Sequence, residues 1–305
     1  MPRGPRRCVR RAEDVGPTAR ANRFHGRNRF HGRDNGRVKR RGFQSRATVT
    51  TTQVTLVQID NYGPWTVTPE PRREMDLQSL QSRLFADVAE FLGHRDGYAF
   101  ATRFDNMIAV TNGVDGDAHA TLQESIGNRY PVTVSLGTAV CDRPVDALEA
   151  ANARLQRAGS AQDEARTEVL AGEYLTETTP ADVQIAHFDV VNVTGKYTDQ
   201  VNEFDTFTTI TRAYASLMAY LREQHGALSF FVGGDNVVAV CPDLHETAFA
   251  DAVDPVVGDT DVELQVGVGR GESPHEAGFA AKHALEDCRH AGTAVELFGA
   301  PAASD

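Results

Sequence analysis

Four aspartates occupy positions at which a carboxylate could bind a metal ion. Asp60 and Asp189 each end an alternating apolar run that predicts a strand, and Asp105 and Asp235 each lie in the turn of a predicted hairpin. The spacing within a pair is 45 residues in the first case and 46 in the second. We expect each pair to converge at one sheet edge, because the two strands concerned lie side by side. Paired carboxylates suit Mg²⁺, which prefers oxygen ligands and usually retains waters and substrate phosphates.

The surroundings of the second pair predict a phosphate-binding site. Gly233 and Gly234 would let a triphosphate approach the hairpin backbone closely. The loop 190–195 precedes a predicted helix, where backbone amides could hold phosphate oxygens. A simple turn-forming role for Asp235 is the alternative, since Asp and Gly are frequent in hairpin turns. The expected contacts are Val190, Asn192, Thr194, Gly195 and Asn236, together with the cations Lys196 and Arg289.

Two further residues have competing interpretations. His187 lies two residues before Asp189 and points to the same sheet face, where it could position water or act as a base. A packed strand histidine explains it equally well. Arg103 precedes the Asp105 turn and could reach phosphate, or it could form a surface ion pair.

The elements that must position these residues occur twice along the chain. We predict an α+β protein with two tandem ferredoxin-like domains of the palm or nucleotidyl-cyclase type. Each is a βαββαβ unit with an antiparallel sheet and helices on one face. The first domain is expected over residues 49–172 and the second over 183–305, with Thr and Pro clustered between them.

Charge differs sharply between the first 48 residues and the rest of the 305-residue chain. Residues 1–48 contain 15 Lys and Arg against 3 Asp and Glu, whereas the remainder contains 16 against 39, with only two lysines. An acidic, lysine-poor surface remains hydrated in high salt and indicates a halophile, with an ordinary acidic cytosolic protein as the alternative. It argues against a nucleic-acid partner. No apolar run is long enough for a membrane span and no Cys/His cluster predicts zinc, so we expect a cytoplasmic protein.

The basic segment 1–48 contains a perfect duplication, 22–27 followed by 28–33, and no aliphatic periodicity. Its composition predicts disorder. Non-specific nucleic-acid binding and a targeting peptide are possible roles. We favour a third interpretation, translation of upstream sequence from a start assigned too early, and expect deletion of the segment to change neither turnover nor melting temperature.

The hairpin 233–236 resembles the signature of the GGDEF nucleotidyl cyclases. Segment 284–292 resembles it too, at a place where that family usually has a phosphate-contacting Lys and this chain has Arg289. The resemblance implies two Mg²⁺ ions and a helix aspartate that reads guanine. Carried over to this sequence, the metal ligands are Asp189, the carbonyl of Val190 and Asp235, and the guanine-reading aspartate is Asp205, one position out of register.

Longer stretches resemble the archaeal-type GTP cyclohydrolase III family over about residues 53–300. The resemblance implies an Mg²⁺-dependent enzyme, stimulated by a monovalent cation such as K⁺, that opens the guanine imidazole ring of GTP. It also implies loss of both terminal phosphates and retention of the formyl group. In that setting Tyr62 and Trp65 could stack on guanine, with a core role for Trp65 as the alternative. The stretches concerned are 58–69, 102–106, 128–131, 159–164 and 233–236.

Ring-opening hydrolysis of GTP by a homo-oligomeric enzyme is therefore the expected function. A GGDEF-like cyclase on the same metals is an alternative, although Asn236 stands where the cyclase signature has an acid. A non-catalytic nucleotide sensor is the other, and the retained carboxylates disfavour it. The expected catalytic residues are Asp189, Asp235, Asp105, Asp60 and His187.

Overall fold

The computed structural model describes residues 50–175 and 182–298, which form two five-stranded sheets. The first sheet contains β1 (Thr52–Ile59), β2 (Tyr98–Ala101), β3 (Asn106–Val110), β4 (Val134–Cys141) and β5 (Leu170–Gly172). The second contains β6 (Val183–Val190), β7 (Leu228–Gly233), β8 (Asn236–Cys241), β9 (Leu264–Gly271) and β10 (Val295–Leu297). The helices are α1 (Tyr62–Val67), α2 (Glu74–Gly93), α3 (Gly116–Arg129), α4 (Pro144–Arg157), α5 (Glu203–Tyr220), α6 (Glu246–Thr260) and α7 (Pro274–Ala291).

Each sheet is built around its first strand. β1 lies between β3 and β4 and is antiparallel to both, and β6 lies between β8 and β9 in the same way. The strand orders are β2-β3-β1-β4-β5 and β10-β9-β6-β8-β7. The predicted tandem units are confirmed, and each antiparallel sheet also has a fifth edge strand, parallel to its neighbour.

Helices cover both faces of each sheet rather than one, which corrects the prediction. In the first copy α2 and α3 pack against one face, where residues such as Val57 and Met107 contact Leu84 and Ile126. Alternate residues of the same strands face α4. The central strands are therefore buried on both sides. This explains why almost every residue of β1 is buried, and why its polar side chains, such as Gln53 and Thr55, are hydrogen-bonded within the protein.

Two helices were not predicted from the sequence. One is α1, whose segment contains Pro64. The other, α6, contains Pro255 in its interior, and an interior proline removes a backbone donor. Its apolar residues, including Phe249 and Val256, nevertheless pack into the core of the second copy. Tertiary burial therefore outweighs local propensity in this segment.

The two copies can be matched residue by residue from their strand registers. β1 begins at Thr52 and β6 at Val183, a shift of 131, whereas all elements from the hairpin to α4 and α7 are shifted by 130, as from Val134 to Leu264. Backbone conformation agrees with this match. Left-handed residues recur at equivalent places, with φ of 50° at Asn61 and 55° at Asn192.

The copies pack on each other through a shared apolar cluster. Phe100 of β2 and Phe230 of β7, which are equivalent residues, stack with ring centroids 4.1 Å apart and planes at 4°. Val145 of α4 and Ala281 of α7 belong to the same cluster. This arrangement has the local twofold character of a dimer whose subunits are joined in one chain.

No helix among the described residues is long and apolar enough to cross a membrane. The basic segment 1–48 lies outside the described residues, so its predicted disorder stays a prediction.

Candidate functional site

Asp189 and Asp235 meet at one edge of the second sheet. Asp189, near the end of β6, is 5% exposed, and Asp235 is half-buried in the β7–β8 turn. Burial raises the pKa of the Asp235 carboxyl, and the negative charge of Asp189 raises it further. Two carboxylates this close repel each other, so the arrangement favours a bound cation.

Arg289 and Gln265 contact the Asp189 carboxylate. Arg289, from the last turns of α7, places Nη2 2.8 Å from Oδ2 of Asp189. Gln265, the β9 register partner of Asp189, donates its Nε2 to the same oxygen at 3.0 Å. The guanidinium also bonds Glu286 at 2.6 Å and remains partly exposed. It therefore supplies positive charge at the mouth of the site.

Asn236 connects the second carboxylate to a histidine. Its Nδ2 donates to Oδ1 of Asp235 at 3.2 Å, and its Oδ1 accepts from Nε2 of His187 at 2.9 Å. Burial lowers the pKa of His187, which favours the neutral ring. His187 thus lies behind Asn236 and fixes the hairpin, which favours positioning over the expected role as a base.

The hairpin turn is bare backbone at its tip. Gly233 and Gly234 have φ of 112° and 63°, conformations that side chains disfavour. A register shift between Phe231 and Gly233 bends β7 just before the turn. A ligand can therefore approach this hairpin without meeting a side chain.

A cavity of about 380 Å³ opens above these residues. The π-helical turn Thr194–Thr198 follows β6, so the expected helix start exists only as a short turn. Lys196 bonds Glu263 at 2.8 Å and is exposed, which corrects its predicted role as a phosphate contact. The cavity is lined by Asp189, Val190, Asn192, Val193, Thr194, Asp235, Asn236, Gln265 and Arg289.

Gly233 and Gly234 directly precede Asp235 but are not part of that lining, and three other predicted contacts also lie outside it. Gly195 donates its amide to Asn192 Oδ1, which shapes the loop. Asp205 accepts from Asn202 in the first turn of α5 and is exposed. Arg103 is in the other copy, beside Asp105 at 3.3 Å. The structure therefore does not gather these residues around the paired carboxylates.

Asp60 has a structural environment rather than that of a metal ligand. It is 4% exposed and accepts hydrogen bonds from Thr133 Oγ1 at 2.8 Å, Ser135 Oγ at 2.5 Å and the Glu168 amide at 2.9 Å. Both carboxylate oxygens are thus engaged by neutral donors that tie β1 to β4 and to the segment before β5. The predicted equivalence of Asp60 and Asp189 is wrong, because the registers match Asp60 with Val191.

The true counterpart of Asp189 in the first copy is Gln58. Gln58 Nε2 donates to Asn106 Oδ1 at 2.9 Å, and its Oε1 accepts from Nη2 of Arg166 at 2.8 Å. Arg166 is 5% exposed. An amide and a buried guanidinium therefore occupy the place where the second copy has a carboxylate and an open cavity.

The first-copy hairpin is also closed by side chains. Asp105 matches Asp235, but Arg103 and Phe104 stand where the second copy has its two glycines. Phe104 adopts φ of 64°, a left-handed conformation that costs a non-glycine residue about 1–2 kcal/mol. Its ring packs edge-on against Phe85. The described part of the chain contains no group of three or more His, Cys, Asp or Glu residues able to hold a metal ion.

Sequence reasoning missed Gln265, Gln58 and Arg166 as site residues. Gln265 could have been found, because pairing the 262–269 run with β6 places it opposite Asp189. Gln53 and Gln184 are buried glutamines that bond equivalent backbone carbonyls, of Val114 and Leu244. Aligning these two glutamines would have placed Gln58 opposite Asp189 in the comparison of the copies. Arg166 carries no such signal, since it comes from an irregular segment.

Comparison with known proteins identifies close relatives. A family model described as GTP cyclohydrolase III matches residues 54–299. A GTP cyclohydrolase III of Halorubrum lacusprofundi is 79% identical over 84% of this chain and 100% of its own length. One of Natronomonas pharaonis is 62% identical over 82% of this chain and 99% of its own. One of Methanocaldococcus jannaschii is 46% identical over 78% of this chain and 88% of its own.

Halophilic archaea are thus among the sources of similar proteins, in line with the acidic composition. Among solved structures, a GGDEF domain of DgcB from Caulobacter crescentus is similar over 38% of this chain and 77% of that chain. Its TM-score is 0.33 and its identity 14%.

Proposed function

This chain belongs to the GTP cyclohydrolase III family, and we propose that it opens the guanine imidazole ring of GTP at the cavity of the second copy. The observation that carries this assignment of the site is the facing pair Asp189 and Asp235 beside the bare Gly233-Gly234 hairpin. A triphosphate needs positive charge and open backbone. The second copy offers Arg289, a carboxylate pair able to hold cations, and the glycine hairpin. The hairpin of the first copy is closed by side chains.

Magnesium is the proposed cofactor, and the donor set fits it. Asp189, Asp235 and the carbonyl of Val190 are hard oxygen donors lining one cavity. Two carboxylates suffice for Mg²⁺ when substrate phosphates and waters complete the coordination. When bound, the ion would supply charge neutralisation of the phosphates and acidification of water. A monovalent cation such as K⁺ as an activator stays a prediction from the family resemblance.

The protein residues have separable tasks in this proposal. Asp189 and Asp235 provide the negative charge that holds the cations. Arg289 faces the phosphates and is restrained by its bonds to Asp189 and Glu286. Asn236, held by His187, orients Asp235. His187 is therefore a positioning residue, because it touches Asn236 and does not line the cavity.

The proposed products are a formylamino-pyrimidine ribonucleotide monophosphate and two inorganic phosphates. One water opens the ring at C8–N9, and one water is consumed in each phosphoanhydride cleavage. Deformylation is not expected, because no Cys/His zinc cluster is present among the described residues.

Mass spectrometry of the products with phosphate quantitation tests this function. We expect the formylated pyrimidine nucleotide and two phosphates per GTP, with loss of activity in EDTA and recovery with zinc-free Mg²⁺. Free formate or stoichiometric pyrophosphate would contradict the reaction. A cyclic nucleotide or dinucleotide would identify the cyclase alternative instead, and GTP binding without turnover would identify a sensor.

A homo-oligomer in the cytoplasm is a further part of the proposal. Phe204 and Phe207 are 72% and 52% exposed, and Val232 on the edge strand β7 is 47% exposed. The Phe204 and Phe207 rings lie 6.4 Å apart on α5, and an exposed apolar pair favours burial against another subunit. Light scattering of the eluted protein would measure the mass, and a monomer at micromolar concentration would contradict this part alone.

A further inference from the structure

A second open pocket lies between the two copies, and the proposed reaction does not use it. It encloses about 540 Å³ and shares no lining residue with the Asp189–Asp235 cavity. Its walls come mainly from the hairpin segment 101–104 of the first copy and from α5 and β7 of the second. We call it the interdomain pocket. Its volume is in the range of pockets that hold small organic molecules.

Aromatic rings and a thioether form much of the wall of the interdomain pocket. Phe104 of the first hairpin and Phe207 of α5 are both exposed. Tyr214 and Phe231 lie with ring centroids 6.2 Å apart, and Met218 lines the same wall. Rings favour stacking with another flat ring, and a methionine adjusts to its shape. The wall therefore suits a ligand with a flat, apolar body.

Two arginines carry the charge of the lining. Arg103 is paired with Asp105 at 3.3 Å and Arg222 with Glu149 at 3.9 Å, and both guanidinium side chains remain mostly exposed. A guanidinium has five N–H donors, so each arginine keeps donors for an anion. The residues that line the pocket include no Asp or Glu, although acidic residues outnumber basic ones 39 to 16 over residues 49–305. The lining is therefore selectively complementary to an anionic group.

The repeat of the fold does not supply these side chains twice. Arg103 and Phe104 are matched by the glycine pair 233–234, and Phe231 is matched by Ala101. The place related by the local twofold therefore lacks the guanidinium and both rings. Phe104 also has φ of 64°, where a glycine would be unstrained, and such strain is retained mainly where a side chain has a role. The pocket is thus a feature of these particular residues and not a by-product of joining two copies.

We propose that the interdomain pocket binds an amphipathic organic anion. Its aromatic body lies between the rings contributed by the two copies, and its anionic group is held by the lining arginines. The site goes beyond the proposed function, because it is separate from the cavity of the reaction. Of the three exposed apolar residues assigned above to a subunit contact, only Phe207 lines this pocket.

Binding of anilinonaphthalene sulfonate to the full chain tests the proposal, measured by fluorescence titration with direct excitation of the probe. This probe has a flat aromatic body and one sulfonate. We expect one probe per chain. Phenylnaphthylamine, which has the same body without the sulfonate, should bind about fivefold more weakly. GTP in EDTA should not displace the sulfonate probe, because the substrate is expected in the other cavity.

A matched pair of substitutions on α5 tests the location. Thr211→Trp places an indole in the pocket and should raise the Kd for the sulfonate probe by about tenfold or more, because it takes the volume that the probe needs. Thr208→Trp is the same change at an exposed α5 residue outside the lining, and it should leave Kd within about twofold. Melting temperature checks folding of both variants.

A second matched pair tests the charge. Arg222→Met should weaken the sulfonate probe by about fivefold and leave the neutral probe within about twofold. Arg212→Met makes the same change in net charge at an exposed residue outside the lining, so it should affect neither probe.

Unchanged binding in Thr211→Trp or equal affinity for the charged and neutral probes would overturn the proposal. So would loss of binding in Phe279→Ala, which removes an exposed ring on α7. These results leave the proposed function untouched, since it is measured separately as GTP turnover in Mg²⁺. Displacement of the probe by GTP in EDTA would assign the pocket to the substrate and would also overturn the proposal.

Discussion

The two halves of this chain share a fold but differ in what stands at the edge of the central strand. In the second copy Asp189 and Asp235 face an open cavity beside a glycine hairpin. In the first copy Gln58 replaces the strand carboxylate, Arg166 bonds it from within, and Arg103 and Phe104 replace the glycines. Similar frames therefore carry a facing carboxylate pair in one copy and a hydrogen-bonded amide in the other, through changes at a few edge residues.

The cores of the two copies also differ, because the first contains a buried polar network that the second lacks among its described residues. In the first, Thr55 Oγ1 bonds Thr111, Thr138 and the buried His119, at 2.8 to 3.0 Å. The register places apolar or weakly polar residues at all four equivalent positions in the second copy. They are Ala186, Cys241, Val268 and Phe249. A buried polar network of this kind is stabilising only while every member remains paired.

The largest expected effect is on turnover, and it tests whether the metal site is in the second copy. Asp189→Ala and Asp235→Ala should each reduce turnover by about 10³-fold or more, because an inner carboxylate at a Mg²⁺ site is worth several kcal/mol. Steady-state kinetics at saturating Mg²⁺ measures this, with melting temperature as the check on folding. Near-native turnover in either folded variant would contradict the assignment to the second copy.

Asp60→Asn should act on stability instead. The amide cannot accept from all three donors that now bond the carboxylate, and the loss should be about 2–3 kcal/mol in the free energy of unfolding. Urea unfolding measures it. A folded, equally stable variant that has lost turnover would show instead that Asp60 takes part in the reaction.

Two cations near the cavity provide a narrower comparison. Arg289→Ala should raise the KM for GTP by about tenfold, since its guanidinium faces the cavity. The matched control Lys196→Ala should leave KM unchanged, because Lys196 is bonded to Glu263 outside the cavity lining. An equal rise in KM for both variants would contradict the assignment of Arg289, and not Lys196, as the cation that contacts GTP.

The smallest expected effect concerns pH. Burial lowers the pKa of His119 below its ordinary value, with both ring nitrogens hydrogen-bonded. The unfolded chain therefore takes up a proton first, so the stability contribution is present above pH 6.5 and is lost as pH falls below it. The slope from this group is at most about 1.4 kcal/mol per pH unit.

His119→Phe, which installs the equivalent residue of the second copy, should remove that slope between pH 5 and 7. The reciprocal Phe249→His should add one. Urea unfolding across this range measures both, and an unchanged slope in His119→Phe would assign the pH dependence to another group.

Local pattern was sufficient for the strands and for most helices, because alternation and helical periodicity follow directly from which faces are buried. It failed for α6, where Pro255 argues against a helix. The helices α4 and α7 follow from the pattern, but the sheet face that they cover depends on the packing of one copy against the other. Spacing alone also gave the wrong counterpart for Asp189 in the first strand. An aspartate two residues beyond the true counterpart gave nearly the same interval to the hairpin.

The sequence by itself determined that the chain contains two related α+β units, that carboxylates and glycines converge in the second, and that the stretches resemble one enzyme family. Only the tertiary structure decided that Asp60 is a hydrogen-bonded clamp and that Gln58 takes the place of Asp189. The physical reason is that strand pairing sets which residues face each other: Asp60 lies two residues past Gln58 on the same face, where Thr133 and Ser135 bond it. Which residues share a site is therefore fixed by pairing across the sheet, and a buried partner such as Arg166 is supplied by a distant segment without regular structure.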